Sequence, residues 1–160
     1  MAKVEILSGL PGSGKSHYAK KRIEALPVGA KSAVVSADDY FIGSDGEYRY
    51  DPSKIGDAHA WCMGEFLYEQ AKYQWREPDL IIVDNTNTSP IEIAPYMLVA
   101  ASFALSTKVV RFMTESEEDF QLCLQRQTHG VPEKTMRKMQ EALTTPLPLW
   151  WQWEGRSIQR

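Results

Sequence analysis

The sequence predicts a mixed α/β protein built on a short parallel sheet, and three observations carry that prediction. Four short apolar runs have strand character: Val4-Glu5-Ile6-Leu7, Val34-Val35, Leu80-Ile81-Ile82-Val83 and Lys108 to Met113. Segments of helical length separate them, and strands that alternate with helices build parallel sheets. The run from Leu80 to Val83 is apolar at every position, as expected of a strand buried on both faces.

The elements follow in order. The first run ends at Gly9, and a helix is expected from Lys15 to Leu26, stopped by Pro27. Val34-Val35 leads into Ser36-Ala37-Asp38-Asp39, and the polar stretch from Gly43 to Pro52 reads as a loop. A long helix is expected from Ser53 to Trp75 with Ser53 as N-cap, since Ile55, Ala58, Cys62, Phe66 and Tyr73 roughly follow helical spacing. Another is expected from Ser89 to Phe103, where Pro90 falls in the tolerated first turn. Two more, Ser116 to Gln127 and Glu133 to Leu143, are joined by Thr128-His129-Gly130-Val131-Pro132. Ser116 and Asp119 have the spacing of a capping box.

Composition narrows the function classes. At 160 residues the chain has room for one domain, and a formal net charge of -3 argues against a protein that coats DNA. Cys62 and Cys123 have no metal-binding spacing and read as free thiols in a reducing compartment. Lys3 and Glu5 interrupt any secretory signal, and the longest uncharged stretch, Ile93 to Thr107, is too short to cross a bilayer. A cytoplasmic protein without membrane contact is expected.

Gly9-Leu10-Pro11-Gly12-Ser13-Gly14-Lys15-Ser16 matches G-x-x-x-x-G-K-[ST] at every fixed position. Glycines let the backbone curl so that successive N–H groups aim at phosphate oxygens, and the following helix adds its positive end. Lys15 is suited to the β- and γ-phosphates, and the Ser16 hydroxyl to Mg²⁺. The motif stands between a predicted strand and a predicted helix, as phosphate binding requires.

Ligands of open α/β sheets sit at the carboxyl ends of the strands, and two acidic sites lie there. Asp84 closes the Leu80–Val83 run in the manner of a carboxylate that serves Mg²⁺, although Asn85, Thr86 and Asn87 also suit a capped turn. Asn87 is a weaker candidate for orienting a substrate. Of the adjacent pair Asp38 and Asp39, one could accept the proton of an attacking hydroxyl, and a solvated turn explains the pair equally well. Arg126, at the end of a predicted helix, is the candidate for a mobile arginine over the site, with Arg137 as rival. His59 reads as a hydrogen-bonded structural histidine before an acceptor contact. Trp150, Trp151 and Trp153 read as anchors of the tail over the core, or a dimer contact, ahead of base-stacking platforms.

Five segments, running from about Val4 to Met139, give the chain a family resemblance: Gly9–Ser16; Ser36-Ala37-Asp38-Asp39-Tyr40-Phe41; Tyr50-Asp51-Pro52 with Asp57-Ala58-His59-Ala60-Trp61; Ile82-Val83-Asp84-Asn85-Thr86-Asn87; and Arg126 with His129-Gly130-Val131-Pro132. It resembles the P-loop kinases of the polynucleotide 5'-hydroxyl kinase type. It is most similar to the compact kinase domain of certain animal ubiquitin-ligase-binding proteins and their bacterial and phage relatives. The resemblance implies that Asp38 is the general base for a 5'-hydroxyl, that Lys15 and Ser16 hold ATP and Mg²⁺, and that Arg126 is a lid arginine on the donor phosphates. One position departs from the phage end-healing kinases, which carry an Arg directly after Asp-Asp-Tyr; here it is Phe41. The acceptor contact must then come from elsewhere, with Arg49, Lys54 and Arg76 as candidates.

The expectation is a P-loop NTPase three-layer sandwich over residues 1–160, with the first strand central and a helical lid near the C-terminus. Its expected activity is ATP- and Mg²⁺-dependent phosphoryl transfer to a hydroxyl, above all the 5'-OH of DNA or RNA. The expected nucleotide site is Gly9, Leu10, Pro11, Gly12, Ser13, Gly14, Lys15, Ser16 and Arg126. Ser16 and Asp84 are the metal candidates, and Asp38, Asp39, Asn87 and Arg49 the substrate candidates. The rivals are a kinase for a nucleoside, nucleotide, sugar or antibiotic, and a non-catalytic ATP-binding interaction module.

Overall fold

Alternating side-chain direction along the central strand sorts the protein into layers. The computed structural model describes residues 2–72 and 77–159. β1 (Val4–Ser8) runs through the middle of a five-stranded sheet in the order β2-β3-β1-β4-β5, with β2 at Ser32–Val35, β3 at Leu80–Val83, β4 at Thr107–Met113 and β5 at Trp153–Ser157. Every pairing is parallel. Val4 and Ile6 point to one face, with Ile81 and Val83, and pack against α2 (Ile55–Ala71) and α3 (Pro90–Ser102) through Phe66, Ile93 and Tyr96. Leu7, Leu80, Ile82 and Val110 point to the other, against α1 (Lys15–Glu24), α4 (Glu117–Arg126) and α5 (Glu133–Ala142) through Ala19, Phe120 and Met136. Both faces of a parallel sheet are thus covered, which explains the uninterrupted apolar run of β3.

Local chemistry sets the element ends. Ser116 and Asp119 form the expected reciprocal cap, with Asp119 N–H donating to Ser116 Oγ and Ser116 N–H to Asp119 Oδ2. Glu92 accepts from Ser89 N–H at the start of α3. The expected start of the long helix is corrected: Ser53 lies inside a 3₁₀ turn, Pro52–Lys54, which Asp51 caps, and α2 begins at Ile55. Asp51 prevails because its carboxylate takes both the backbone N–H and the hydroxyl of Ser53. The expected continuation to Trp75, with Tyr73 and Arg76, lies outside the described residues.

β5 is a strand that periodicity did not reveal. Its residues Trp-Glu-Gly-Arg-Ser do not alternate, because it is a sheet edge whose side chains are mostly exposed. Trp151 packs against the core, as a tail anchor should, whereas Trp150 stands out in solvent. Both cysteines are buried and unpaired. Among the described residues no helix is long and apolar enough to cross a membrane.

Two buried charges brace the α1–α4–α5 face. Glu5, wholly buried in β1, accepts from Tyr18 Oη at 2.9 Å and Arg22 Nη2 at 2.8 Å, with Lys108 Nζ at 3.5 Å. Arg111 of β4 donates to the carbonyls of Leu143 and Thr145 and to Ser8 Oγ. Its charge therefore sits on the carbonyl end of α5, where the helix dipole is negative. Removing one partner of a buried pair strands the other. Arg22→Ala should therefore lower the unfolding free energy by about 2–4 kcal/mol in urea titration. Adding Glu5→Gln to that variant should recover part of the loss; no recovery would mean that Glu5's charge is not the cause.

Candidate active site

The carboxyl ends of β1, β2 and β3 open onto one cleft of about 770 Å³, lined among others by Gly12, Gly14, Lys15, Ser16, Asp38, Asp84, Arg126 and His129. The loop from Gly9 to Gly14 wraps the exit of β1. Gly12 has φ +77°, and a Cβ there would stand 2.2 Å from the Cys123 carbonyl oxygen of α4, so only glycine fits. Gly14, at φ +98°, makes the left-handed turn that starts α1. Leu10 and Ser13 are buried within the loop, and the Ser13 hydroxyl has no hydrogen-bond partner among the described residues.

Lys15 is buried, and its ammonium donates to the carbonyls of Gly9 at 3.0 Å and Leu10 at 2.8 Å. Burial pushes its pKa down, and the nearby carboxylates of Asp84 and Asp38 oppose that shift. Burial holds the Asp84 carboxyl above its ordinary range, while the Ser16 hydroxyl and Lys15 pull the other way. Ser16 and Asp84 thus present hard oxygens side by side at the mouth of α1. Among the described residues no group of three or more His, Cys, Asp or Glu side chains could hold a metal ion unaided. One carboxylate and one hydroxyl fit an ion that keeps waters and phosphate oxygens as its other ligands, as Mg²⁺ does.

Asp38 and Asp39 sit in a 3₁₀ turn, Ala37–Phe41, capped by Ser36, whose Oγ accepts from Asp38 N–H. Asp38 faces the cleft. Its carboxylate is 3.6 Å from His129 Nε2, and the Tyr48 hydroxyl lies against it. Partial burial raises the Asp39 pKa, and the charges of Asp38 and Asp84 raise it further. The turn rests on Asn85, which sequence reasoning took for a turn residue. Asn85 Oδ1 accepts from Ala37 N–H at 2.8 Å, and its amide nitrogen faces Cys62 Sγ and the Tyr96 hydroxyl. Nothing in the run Asp84-Asn-Thr-Asn distinguishes this long-range contact from a local cap.

Two substrate candidates are turned away from the cleft. Asn87, 3% exposed, donates its amide to the Leu7 carbonyl at 2.9 Å, which braces the loop after β1 instead of meeting an acceptor. Arg49 is drawn to Asp45 and Glu47, at 2.6 and 2.9 Å, over a separate depression that Lys54 shares. His59 is exposed on the cleft wall. Arg126 borders the cleft and donates from Nη1 to the Gln159 carbonyl at 2.6 Å.

Residues 4–146 match the family described as an AAA domain. The chain belongs to that family. Human NEDD4-binding protein 2 is 34% identical over 139 residues, which is 85% of this chain and 7% of that protein. A chain of the Pnkp1/Rnl/Hen1 RNA repair complex superposes with a TM-score of 0.66 at 22% identity, covering 89% of this chain and 44% of the other. A gluconokinase from Sinorhizobium meliloti 1021 superposes with a TM-score of 0.61 at 15% identity, covering 99% and 84%. The chain therefore has the fold of a compact P-loop kinase-type domain and spans a small part of its human relative.

Two outcomes follow from this geometry. Gly12→Ala should drive the loop or α4 out of place, abolish binding of a fluorescent ATP analogue and lower the thermal midpoint; unchanged binding would mean the loop tolerates the extra carbon. Asn85→Leu leaves the Ala37 N–H without its acceptor, a loss of about 1–3 kcal/mol for a buried donor. Hydrogen exchange at Ala37 should then speed up by about tenfold or more with ATP affinity unchanged.

Proposed function

We propose that this P-loop kinase-type domain transfers the γ-phosphoryl group of ATP to the 5'-hydroxyl of a nucleic acid. One observation supports the reading above the others: a solvent-accessible carboxylate, Asp38, faces the same cleft as Lys15, Ser16 and Asp84. A donor site and a candidate base for an acceptor thus share one space. The Asp-Asp-Tyr segment, the Asp84–Asn87 segment and the Arg126–Pro132 segment, far apart in sequence, line that space or support it, as the sequence resemblance requires.

In this reading the loop N–H groups and Lys15 hold the β- and γ-phosphates, and Lys15 leaves the Gly9 and Leu10 carbonyls to do so. Ser16 and Asp84 would hold Mg²⁺, which when bound supplies positive charge against the phosphates. Asp38 accepts the proton of the 5'-hydroxyl as its oxygen bonds to the γ-phosphorus. The bond from that phosphorus to the β–γ bridging oxygen breaks, and ADP leaves with its electron pair. Arg126 and Lys15 stabilise the charge on the phosphoryl group in transit. A small-molecule hydroxyl is the second reading, favoured by the fold shared with the gluconokinase along nearly the whole chain.

Transfer of labelled γ-phosphate tests the reading, with 5'-OH DNA and RNA oligonucleotides beside nucleosides and gluconate. The label should appear on oligonucleotide ends. Lys15→Ala and Asp38→Ala should each lower the rate by about 10²-fold or more, and Asp38→Ala should leave ATP affinity intact. Label confined to small molecules would replace the nucleic-acid acceptor. ATP binding with no transfer to any acceptor would leave a non-catalytic binding module.

A further inference from the structure

Beyond Asp38, the wall of the cleft is built of rings. Phe41, Tyr48 and Tyr50 line it, flanked by Ile55 and His59. Phe41 is 7% exposed and serves as the floor; its ring lies edge-on to Tyr48 at 6.1 Å and to Tyr50 at 5.1 Å between centroids. Tyr48 also meets the His129 ring at 5.4 Å. Held in this way, Tyr48 and Tyr50 still keep 41% and 48% of their surface in solvent. Rings that are fixed yet open have lost their side-chain freedom before any ligand arrives, so a planar partner can stack on them at low entropic cost.

Cations are distributed in the opposite way. Among the described residues, the lysine and arginine that line the cleft are Lys15 and Arg126. Lys15 is held in the phosphate loop, and Arg126 also borders a depression with Ser13 and Gly14. Arg49, between the two tyrosines in sequence, is neutralised by Asp45 and Glu47 outside the cleft. On the cleft side of the aromatic wall no further lysine or arginine stands among the described residues; Arg49 and Lys54 meet Phe41 and Tyr50 only from the adjoining depression, and a polyol in the cleft would find rings where it needs many hydrogen-bonding groups.

We propose that the Phe41–Tyr48–Tyr50 wall takes the terminal base of the acceptor by stacking, and that the phosphate next to it is not clamped. This rests on the 5'-end reading above and gives that site its specificity. Stacking of a base on an aromatic side chain is worth about 1–3 kcal/mol, or about 5- to 150-fold in affinity.

The test measures kcat/KM for three 5'-OH oligonucleotides that differ only at the end: intact, abasic at the first position, and with an uncharged methylphosphonate between the first two nucleotides. The abasic end should lose about 10-fold or more, and the methylphosphonate should stay within about twofold of the intact end. Tyr50→Ala should impose the abasic penalty on the intact end and add nothing on the abasic one, while Tyr50→Phe, which keeps the ring, should restore the intact rate. Quenching of a 5'-terminal 2-aminopurine on binding should be lost in Tyr50→Ala and kept in Tyr50→Phe. An abasic end phosphorylated as fast as the intact one overturns the stacking, and a tenfold loss with the methylphosphonate reveals a phosphate clamp. Failure of every oligonucleotide, with a small molecule accepted, overturns the 5'-end reading itself.

Discussion

The short segment that leaves β3 holds the two halves of the cleft in register. Its Asp84 N–H donates to the Val35 carbonyl, and its Thr86 carbonyl accepts from Gly9 N–H at 2.8 Å. Asn85 reaches one way to Ala37, and Asn87 reaches the other way to Leu7. Asn87 does so at φ +40°, a left-handed geometry that asparagine tolerates better than most residues. Four consecutive residues therefore tie the exit of β1, which carries the Gly9–Gly14 loop, to the exit of β2, which carries Asp38. The proposed phosphoryl transfer would ask little of the protein except position, and this brace would set the spacing between its donor and acceptor sides.

The brace depends on the sheet, and the sheet depends on both faces being covered. β3 can be apolar at every position because helices pack on each side. Its exit is then a place where the strand's direction meets water and polar residues can gather. Three carboxylates converge there. Burial holds Asp84 toward its neutral form with Asp38 adding to it, burial together with Asp38 and Asp84 does the same for Asp39, and Lys15 is held toward its neutral form by burial. A site in which both signs are under desolvation strain is poised for a charged ligand that satisfies them together, as perturbed groups in clefts often are.

Features fixed by short-range chemistry were legible in the sequence. The Gly9–Ser16 motif, the Ser116–Asp119 cap and the buried β3 all follow from spacing within a dozen residues, whereas the central place of the first strand came with the expected P-loop fold. What periodicity missed depends on partners distant in sequence. β5 has no apolar alternation of its own and becomes a strand by pairing with β4 some forty residues earlier. Asn85 and Asn87 look alike beside Asp84, and only the fold shows that neither amide is free for a substrate. Arg49 looked available because it is a cation near the Asp-Asp-Tyr segment; Asp45 and Glu47, two and four residues away, claim it first. Ser53 lost its cap role to Asp51 for a similar local reason, the stronger acceptor prevailing.

The α4–α5 pair adds the last constraint. The loop between α4 and α5 closes on itself, since the Gln127 side chain both accepts from Val131 N–H and donates to the Val131 carbonyl. Gly130 makes the turn at φ +66°. Arg111 fixes the far end of α5 to β4. The α4–α5 pair is therefore a braced unit, with Arg126 at its edge. That arginine rests on the Gln159 carbonyl, an exposed contact, and a neutral acceptor in water holds a guanidinium far less firmly than a phosphate does. In the proposed reading, a triphosphate in the cleft would outcompete the carbonyl without disturbing either buried brace. In this arrangement Arg126 can change partners while the loop, the Asp38 turn and the lid helices keep their places.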